Sequence, residues 1–328
     1  MANRSGLCAA LGIDVPLICG AMYPCSNPEL VAAVSEAGGI GIVQPLSLTY
    51  VHGYDFREGL RYIRSLTAKP IGVNLIIEKS SSKYLERVRQ WLDIALEERV
   101  PFLVTALGNP DWVVGRAGPA GVTVYHDVTC RHWAEKALDG GVDGFICVNN
   151  RAGGHAGTLS LQAMLDDIGP LGKPLVCAGG IGTPEEFSGA IAMGYTGVQL
   201  GTRFIASAEC SAHADYKQAI IAAGEQDIVL SEKISGVPVS VIKTPYIQSV
   251  GTRAGPLARW MLRGHRTKHW MRTLYSLQSI WKLKRASLQG MQYRDIFQAG
   301  KSVAGIHAVQ PAADIVAEYA RALHDRRC

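Results

Sequence analysis

The 328-residue sequence has no apolar run approaching the roughly 18 residues that a membrane-spanning helix requires. It also lacks a CxxC pair and a Gly-x4-Gly-Lys-Ser/Thr loop, which argues against a cysteine-built zinc site and a P-loop nucleotide site. Charged residues are sparse at 19% while hydrophobic ones reach 48%, so a disordered or fibrous chain is excluded and a large core can be filled. The eight cysteines (Cys8, Cys19, Cys25, Cys130, Cys147, Cys177, Cys210 and Cys328) are scattered. Cys19, Cys147 and Cys177 lie inside apolar runs, where a thiol acts as a small hydrophobe, and no disulfide framework or metal site is expected. At the N-terminus Arg4 precedes a short apolar stretch, Leu7 to Ile13, but Asp14 and a strand-like segment follow. That is a poor signal peptide, and the expected location is cytoplasmic.

Acidic residues are missing from one long stretch. Between Ser249 and Arg294 there are ten Lys/Arg and no Asp or Glu, so the rest of the chain is net acidic although the whole carries +5. The stretch interleaves Trp260, Trp270, Tyr275 and Trp281 with basic residues such as Arg263, Arg266 and Lys268. Such a segment can meet nucleic acid, an anionic lipid surface or an acidic partner. The plainer reading, a solvated helical lid with its aromatics packed on the body, is preferred, and neither nucleic acid nor membrane is expected as a partner.

Elsewhere a repeat organises the chain. Short Val/Ile-rich runs start at Val15, Gly39, Pro70, Pro101, Val122, Gly144, Pro174 and Gly197, each bounded by Gly or Pro. Amphipathic stretches separate them: Pro28 to Ala37, Phe56 to Ser65, Lys83 to Glu98, Asp111 to Gly118, Arg131 to Asp139, Leu159 to Ile168 and Pro184 to Ala192. Near-continuous apolar strands alternating with helices imply a parallel sheet covered on both faces. Eight such units in about 200 residues point to an α/β fold, a (β/α)8 TIM barrel, with an open doubly wound sheet as the alternative. Residues 212–295 break the repeat and are expected to form a smaller, mainly helical lid inserted after strand eight. The barrel then comprises 1–211 and 296–328, with Ala312 to His324 a closing helix.

Barrel chemistry sits in the loops after the strands. Strand seven leads into Ala178-Gly179-Gly180-Ile181-Gly182, followed by Thr183, Pro184 and Glu186 arranged as a capping box. Glycines entering a helix N-terminus expose N–H groups to an anion. Strand eight ends in a second donor-rich loop, Gln199-Leu200-Gly201-Thr202-Arg203. Adjacent glycine loops at these positions indicate a phosphate site, unless the glycines serve only tight turns. Gly38-Gly-Ile-Gly41 lies inside a strand and lacks the setting of a dinucleotide fingerprint. Strand six runs into Asn149-Asn-Arg-Ala-Gly-Gly-His-Ala-Gly157, where His155 is framed by Gly153, Gly154 and Gly157. A histidine at the barrel rim, titrating near neutrality, suits proton transfer, with a structural role as the alternative. Asn74, at the end of strand three, is a candidate for holding a ligand carbonyl or ring nitrogen, or for bonding nearby backbone.

In order along the chain, Gly20-Ala21-Met22, Gly72-Val73-Asn74, Ala152-Gly-Gly-His-Ala-Gly157, Ala178-Gly179-Gly180 and Gln199-Leu-Gly-Thr-Arg-Phe204 resemble the nitronate monooxygenase family, formerly the 2-nitropropane dioxygenases. The resemblance covers about Val15 to Cys210 and, more loosely, Ala299-Gly300. It implies an FMN-binding barrel under a smaller helical domain. Gly20, Ala21 and Met22 would lie beside the flavin ring and Asn74 would bond its polar edge. Gly153 would pass close to the flavin, while Gly179, Gly180, Gly201 and Thr202 would take the phosphate. Ala178, Gln199 and Leu200 belong to the same cofactor-binding motifs, and His155 matches the catalytic base. Flavin-dependent enoyl-ACP reductases and NADH:quinone reductases share these motifs.

Three positions depart from the family pattern. Val148 stands where many monooxygenases carry Gln, and Asp127 stands where some quinone-reducing relatives carry Lys. An ionised Asp127 beside the flavin would disfavour an anionic reduced ring. Lys301 replaces the Gln of an Ala-Gly-Gln pattern and is a candidate source of compensating charge. The expected function is oxidation of alkyl nitronates by O2 to a carbonyl compound and nitrite, catalysed by His155 with FMN. The alternative is an NAD(P)H-dependent reductase of quinones or enoyl thioesters, for which the basic lid would meet the dinucleotide phosphate or an acidic carrier protein. An interaction barrel that docks RNA or membrane through the lid is the reading from another class. Oligomeric state is left open, a dimer included.

Overall fold

The computed structural model describes residues 6–78, 82–232, 238–253 and 296–325. Nearly all of the basic aromatic stretch, and with it the reading of that stretch as a helical lid, lies outside the described residues.

Eight parallel strands close into a barrel: β1 (Leu17–Cys19), β2 (Ile40–Val43), β3 (Ile71–Ile76), β4 (Phe102–Ala106), β5 (Thr123–Val128), β6 (Gly144–Val148), β7 (Leu175–Ala178) and β8 (Gly197–Leu200). Pairing of β1 with β8 completes the ring, through Leu17 with Val198, Ile18 with Gln199 and Cys19 with Leu200. The fold is therefore the TIM barrel that the repeat implied, and the open sheet is set aside. The outer ring comprises α2 (Pro28–Glu36), α3 (Phe56–Leu66), α4 (Ser82–Glu97), α5 (Asp111–Ala117), α6 (Arg131–Asp139), α7 (Leu161–Ile168) and α8 (Pro184–Met193), preceded by α1 (Gly6–Leu11). After β8 come α9 (Thr202–Ile205), α10 (Ala214–Ala222), α11 (Pro245–Val250) and a last helix, α12 (Ala312–Asp325).

Local chemistry explains these boundaries. Asp55 caps α3 by accepting from the N–H groups of Arg57 and Glu58, and the buried Phe56, Leu60 and Ile63 recur at helical spacing on the face turned to the barrel. Thr183 and Glu186 form the expected capping box at α8. On the strands, successive side chains alternate between the barrel interior and the helical layer. Ile18, Ile42, Phe102, Val104, Tyr125, Ile146 and Val176 belong to an inner cluster, and Phe102 meets Tyr125 edge-on at 5.3 Å.

Two features were not anticipated from sequence. Helix α1 is only six residues long, and its Leu7, Cys8 and Leu11 join the inner cluster. They plug the N-terminal end of the barrel, so closely that a Cβ on Gly197 would stand 2.3 Å from Leu7. The insertion after β8 is also not wholly helical. It contains an antiparallel pair, β9 (Ile228–Ser231) with β10 (Val239–Ile242), whose strands are too short to announce themselves by alternation. They are held by bonds to barrel loops described below.

Leu7→Ala should therefore lower the unfolding free energy by about 2–5 kcal/mol. Thermal or urea melts check this, and ligand binding at the opposite end of the barrel should be retained.

Candidate active site

The alternation that builds the core also selects the residues at the C-terminal mouth of the barrel. Paired residues of parallel strands point to the same side. Asn74 is in register with Val104, Asp127 with Ile146, Val148 with Ala178, and Ala178 with Gln199. Val104, Ile146 and Ala178 are inner-cluster residues. Asn74, Asp127, Val148, Ala178 and Gln199 therefore all face inward at the top of the barrel. Gly20 joins them, since a Cβ there would lie 2.9 Å from the Gln199 side chain. Met22, partly buried, follows Ala21 on the same loop and approaches Gly201, linking the loops after β1 and β8. Leu200 is a correction. Its register with Cys19 puts its side chain in the outer core, and its carbonyl accepts from the Gly20 N–H at 3.0 Å, so no Leu200 side chain faces a cofactor.

Asn74 donates from Nδ2 to the Val104 carbonyl at 3.3 Å, a long bond that leaves its carbonyl oxygen and second N–H for a ligand. The bond to neighbouring backbone is thus present, with polar atoms of the amide left over. Asp127 is different. Its Oδ1 is shut off from solvent and has no hydrogen-bond partner, and desolvation pushes the carboxyl up to about 7. Such an orphaned acceptor is costly in a folded chain and points to a partner that binds.

The loop after β6 is held from three sides. Asn149 is fully buried and acts as its hinge, donating from Nδ2 to the Gly179 carbonyl at 2.8 Å and accepting from the Arg151 N–H at 2.8 Å. Ser240 of β10 donates its N–H to the Gly154 carbonyl at 2.7 Å, and Lys301 donates its N–H to the Arg151 carbonyl at 2.9 Å. Gly153 meets Gly300 backbone to backbone, where a Cβ on Gly153 would lie 2.9 Å from the Gly300 nitrogen. Only glycine permits that approach. His155 projects from this clamped loop, exposed at the mouth. The protein around it lowers its pKa by desolvation, which favours neutral imidazole.

The two glycine loops converge beside it. At Gly179, with φ of +115°, a Cβ would stand 2.6 Å from the Asn149 side chain and the Ala152 nitrogen. Thr202 Oγ1 accepts from the Gly300 N–H at 3.0 Å, tying the β8 loop to the same segment. One expectation changes in detail. Glu186 accepts from the N–H groups of Gly182 at 2.6 Å and Thr183 at 3.1 Å, so the α8 N-terminus already carries a carboxylate. A phosphate there must use the earlier N–H groups, at Gly179, Gly180 and Ile181, together with those at Gly201 and Thr202. Arg203 is buried and directed to the carbonyls of Ala206 and Ala308 and to Gln310, so it braces the C-terminal segment rather than the rim.

Sequence reasoning missed an ion-pair chain at this edge. Arg151 bonds Glu225 at 2.9 Å, and Glu225 also meets Lys301 at 3.2 Å. Desolvation works against the Glu225 carboxylate, but the Lys301 and Arg151 bonds together hold it below the usual range. The ammonium of Lys301 is thus engaged by Glu225, next to the Arg151 side chain that covers Gly180. Partners contributed by a distant insertion cannot be read from motif spacing. Among the described residues none of the seven cysteines forms a disulfide, and no cluster of His, Cys, Asp or Glu has the makings of a metal site.

The eight-stranded barrel thus carries paired glycine loops and a rim histidine at one mouth, the frame of a TIM-barrel enzyme. A sequence profile of the nitronate monooxygenase family matches residues 4–320, and the chain belongs to that family of flavoproteins. A dehydrogenase from Rhodococcus jostii, named for (3aS,4S,5R,7aS)-5-hydroxy-7a-methyl-1-oxo-octahydro-1H-indene-4-carboxyl-CoA, is 30% identical over 75% of this chain and 68% of its own. A Staphylococcus aureus protein described as a "Probable nitronate monooxygenase" is 25% identical over 81% of this chain and 86% of its own. Among solved structures, FabK from Thermotoga maritima superposes with a TM-score of 0.82 at 26% identity, covering 99% of this chain and 97% of that one. A nitroalkane oxidase structure from Streptomyces ansochromogenes, at 22% identity and a TM-score of 0.77, shares the fold.

Asn149→Ala should destabilise the protein by about 1–3 kcal/mol, because it strands the Gly179 carbonyl and the Arg151 N–H. Asn149→Asp, which sets a buried carboxylate oxygen against the Gly179 carbonyl, should cost at least as much in the same melts near neutral pH.

Proposed function

We propose that this oxidoreductase uses FMN to oxidise alkyl nitronates with O2, giving a carbonyl compound and nitrite. The observation that carries the reading is His155, a rim imidazole on a loop clamped at the barrel mouth, with a pKa that desolvation lowers. Neutral imidazole can take the carbon-bound proton next to a nitro group and so generate the nitronate in place. N–H groups of Gly179, Gly180, Gly201 and Thr202 would hold the phosphate of FMN, and Gly20, Ala21 and Met22 would border its ring, with Asn74 bonding the polar edge. Bound FMN supplies the electron transfer between substrate and oxygen. The chain's own part is to orient substrate at His155, hold the proton there, and present a wall formed by Val148 and Ala178. A cytoplasmic location fits this reading, and no described helix is long and apolar enough to cross a membrane.

A second reading is supported by the Rhodococcus relative, whose name is that of a carboxyl-CoA dehydrogenase, and by Val148 standing inward where many monooxygenases carry Gln. In it the same base faces the carbon beside a thioester, and NAD(P)H or its oxidised form is the redox partner. Anaerobic mixing separates the two. Loss of flavin absorbance with propionate nitronate, and not with NADH or NADPH, supports the monooxygenase, and the reverse supports the thioester enzyme.

His155→Ala should reduce kcat/KM for a neutral nitroalkane by about 10²–10⁴-fold. The preformed nitronate, which needs no base, should lose about tenfold or less. For the wild type, kcat/KM on the neutral nitroalkane should fall as pH drops below the ordinary imidazole range, because protonation removes the base. Equal losses on both substrates would contradict the assignment of His155 as base.

A further inference from the structure

Among the described residues Asp127 is the one acidic residue in the inward-facing layer, and the proposed mechanism gives it no work. It lies on β5 above Tyr125, on the face that Ile146 of β6 shares. Its Oδ1 is sealed from water and unpartnered. No cation among the described residues is available to satisfy it, since Arg151 and Lys301 are both spent on Glu225. A carboxylate fixed in such surroundings is unfavourable, whereas the neutral acid carries a proton to give.

Resting on the FMN reading above, we propose that Asp127 is a positioning residue which donates a hydrogen bond from its protonated carboxyl to the bound flavin. Holding the acid neutral removes the conflict between a carboxylate and an electron-rich reduced ring. It turns the residue that stands where some quinone-reducing relatives carry Lys into a donor without charge. Ionisation of Asp127 would remove the donor and place a negative charge against the ring, so reduced flavin should be released more readily as pH rises.

The neighbours leave this titration to Asp127. β4 presents no titratable side chain, and β3 presents the neutral Asn74. On β6, Cys147 lies on the outer face and burial pushes its thiol up, so it stays neutral. On β5 itself burial pushes Tyr125 up and His126 down to about 4, and His126 lies on the outer face bonded to Thr105. Across the mouth, burial pushes Tyr23 up to about 12. His155, at the rim, titrates below the ordinary imidazole range, on the acid side of the Asp127 transition.

The test measures dissociation constants of oxidised FMN and dithionite-reduced FMN between pH 6 and 9, for wild type and Asp127→Asn. Wild type should lose about tenfold in affinity for reduced FMN across a transition near pH 7, the equivalent of one pKa unit of coupling, with a smaller loss for oxidised FMN. Asp127→Asn, which keeps a donor and cannot ionise, should show no transition. Infrared difference spectra of wild type against Asp127→Asn, taken without flavin, should show a protonated carboxyl band at pH 6 that is gone by pH 9. FMN binding with no pH dependence in wild type, or a missing carboxyl band at pH 6, overturns this proposal alone. A chain that takes up no FMN overturns it together with the reading on which it rests.

Discussion

The backbone contact between Gly153 and Gly300 is the constraint on which the rest of the site depends. Two chain segments approach there without side chains between them, and each glycine excludes a Cβ on the other's behalf. That contact fastens the β6 loop to the segment returning from the insertion. The bond from Ser240 to Gly154 fastens the same loop to β10. His155, two residues beyond Gly153, inherits its position from both. A rim histidine on a freely moving loop would pay the entropy of ordering at each turnover, and here folding has already met that cost.

The same clamp explains why the insertion and the barrel act as one unit at the mouth. Glu225 draws Arg151 and Lys301 together, Thr202 receives the Gly300 N–H, and Asn149 joins the β6 loop to the β7 loop. Strand ends six, seven and eight are thereby set against one another by main-chain bonds, one buried amide and an ion-pair chain. Rigid glycine loops suit a cofactor phosphate, because N–H groups fixed in advance need no reorganisation when the anion arrives.

Much of this was legible in the sequence because parallel barrels write their order plainly. Apolar runs punctuated by Gly and Pro located all eight strands, and Thr183 with Glu186 announced the start of α8. The site residues were legible as positions after strands, but their directions were not. Leu200 sits between Gln199 and Gly201 in a motif, yet strand alternation turns its side chain to the outer core. Glu186 was visible as a cap, while its occupation of the Gly182 and Thr183 N–H groups depends on three-dimensional geometry. The β9–β10 pair, helix α1 and the Arg151–Glu225–Lys301 chain escaped for a shared reason. Each is stabilised by partners remote in sequence and leaves only a weak local pattern.

The account stands on the glycine loops after β7 and β8 forming a phosphate site, and affinity for FMN compared with riboflavin tests it most directly. The two ligands share the ring and differ in the phosphate. If fixed N–H groups at Gly179, Gly180, Gly201 and Thr202 bind it, FMN should be held about 100-fold or more tightly than riboflavin, as charge-assisted hydrogen bonds of this kind provide. Equal affinities would contradict the account, because they would mean that these loops recognise no phosphate.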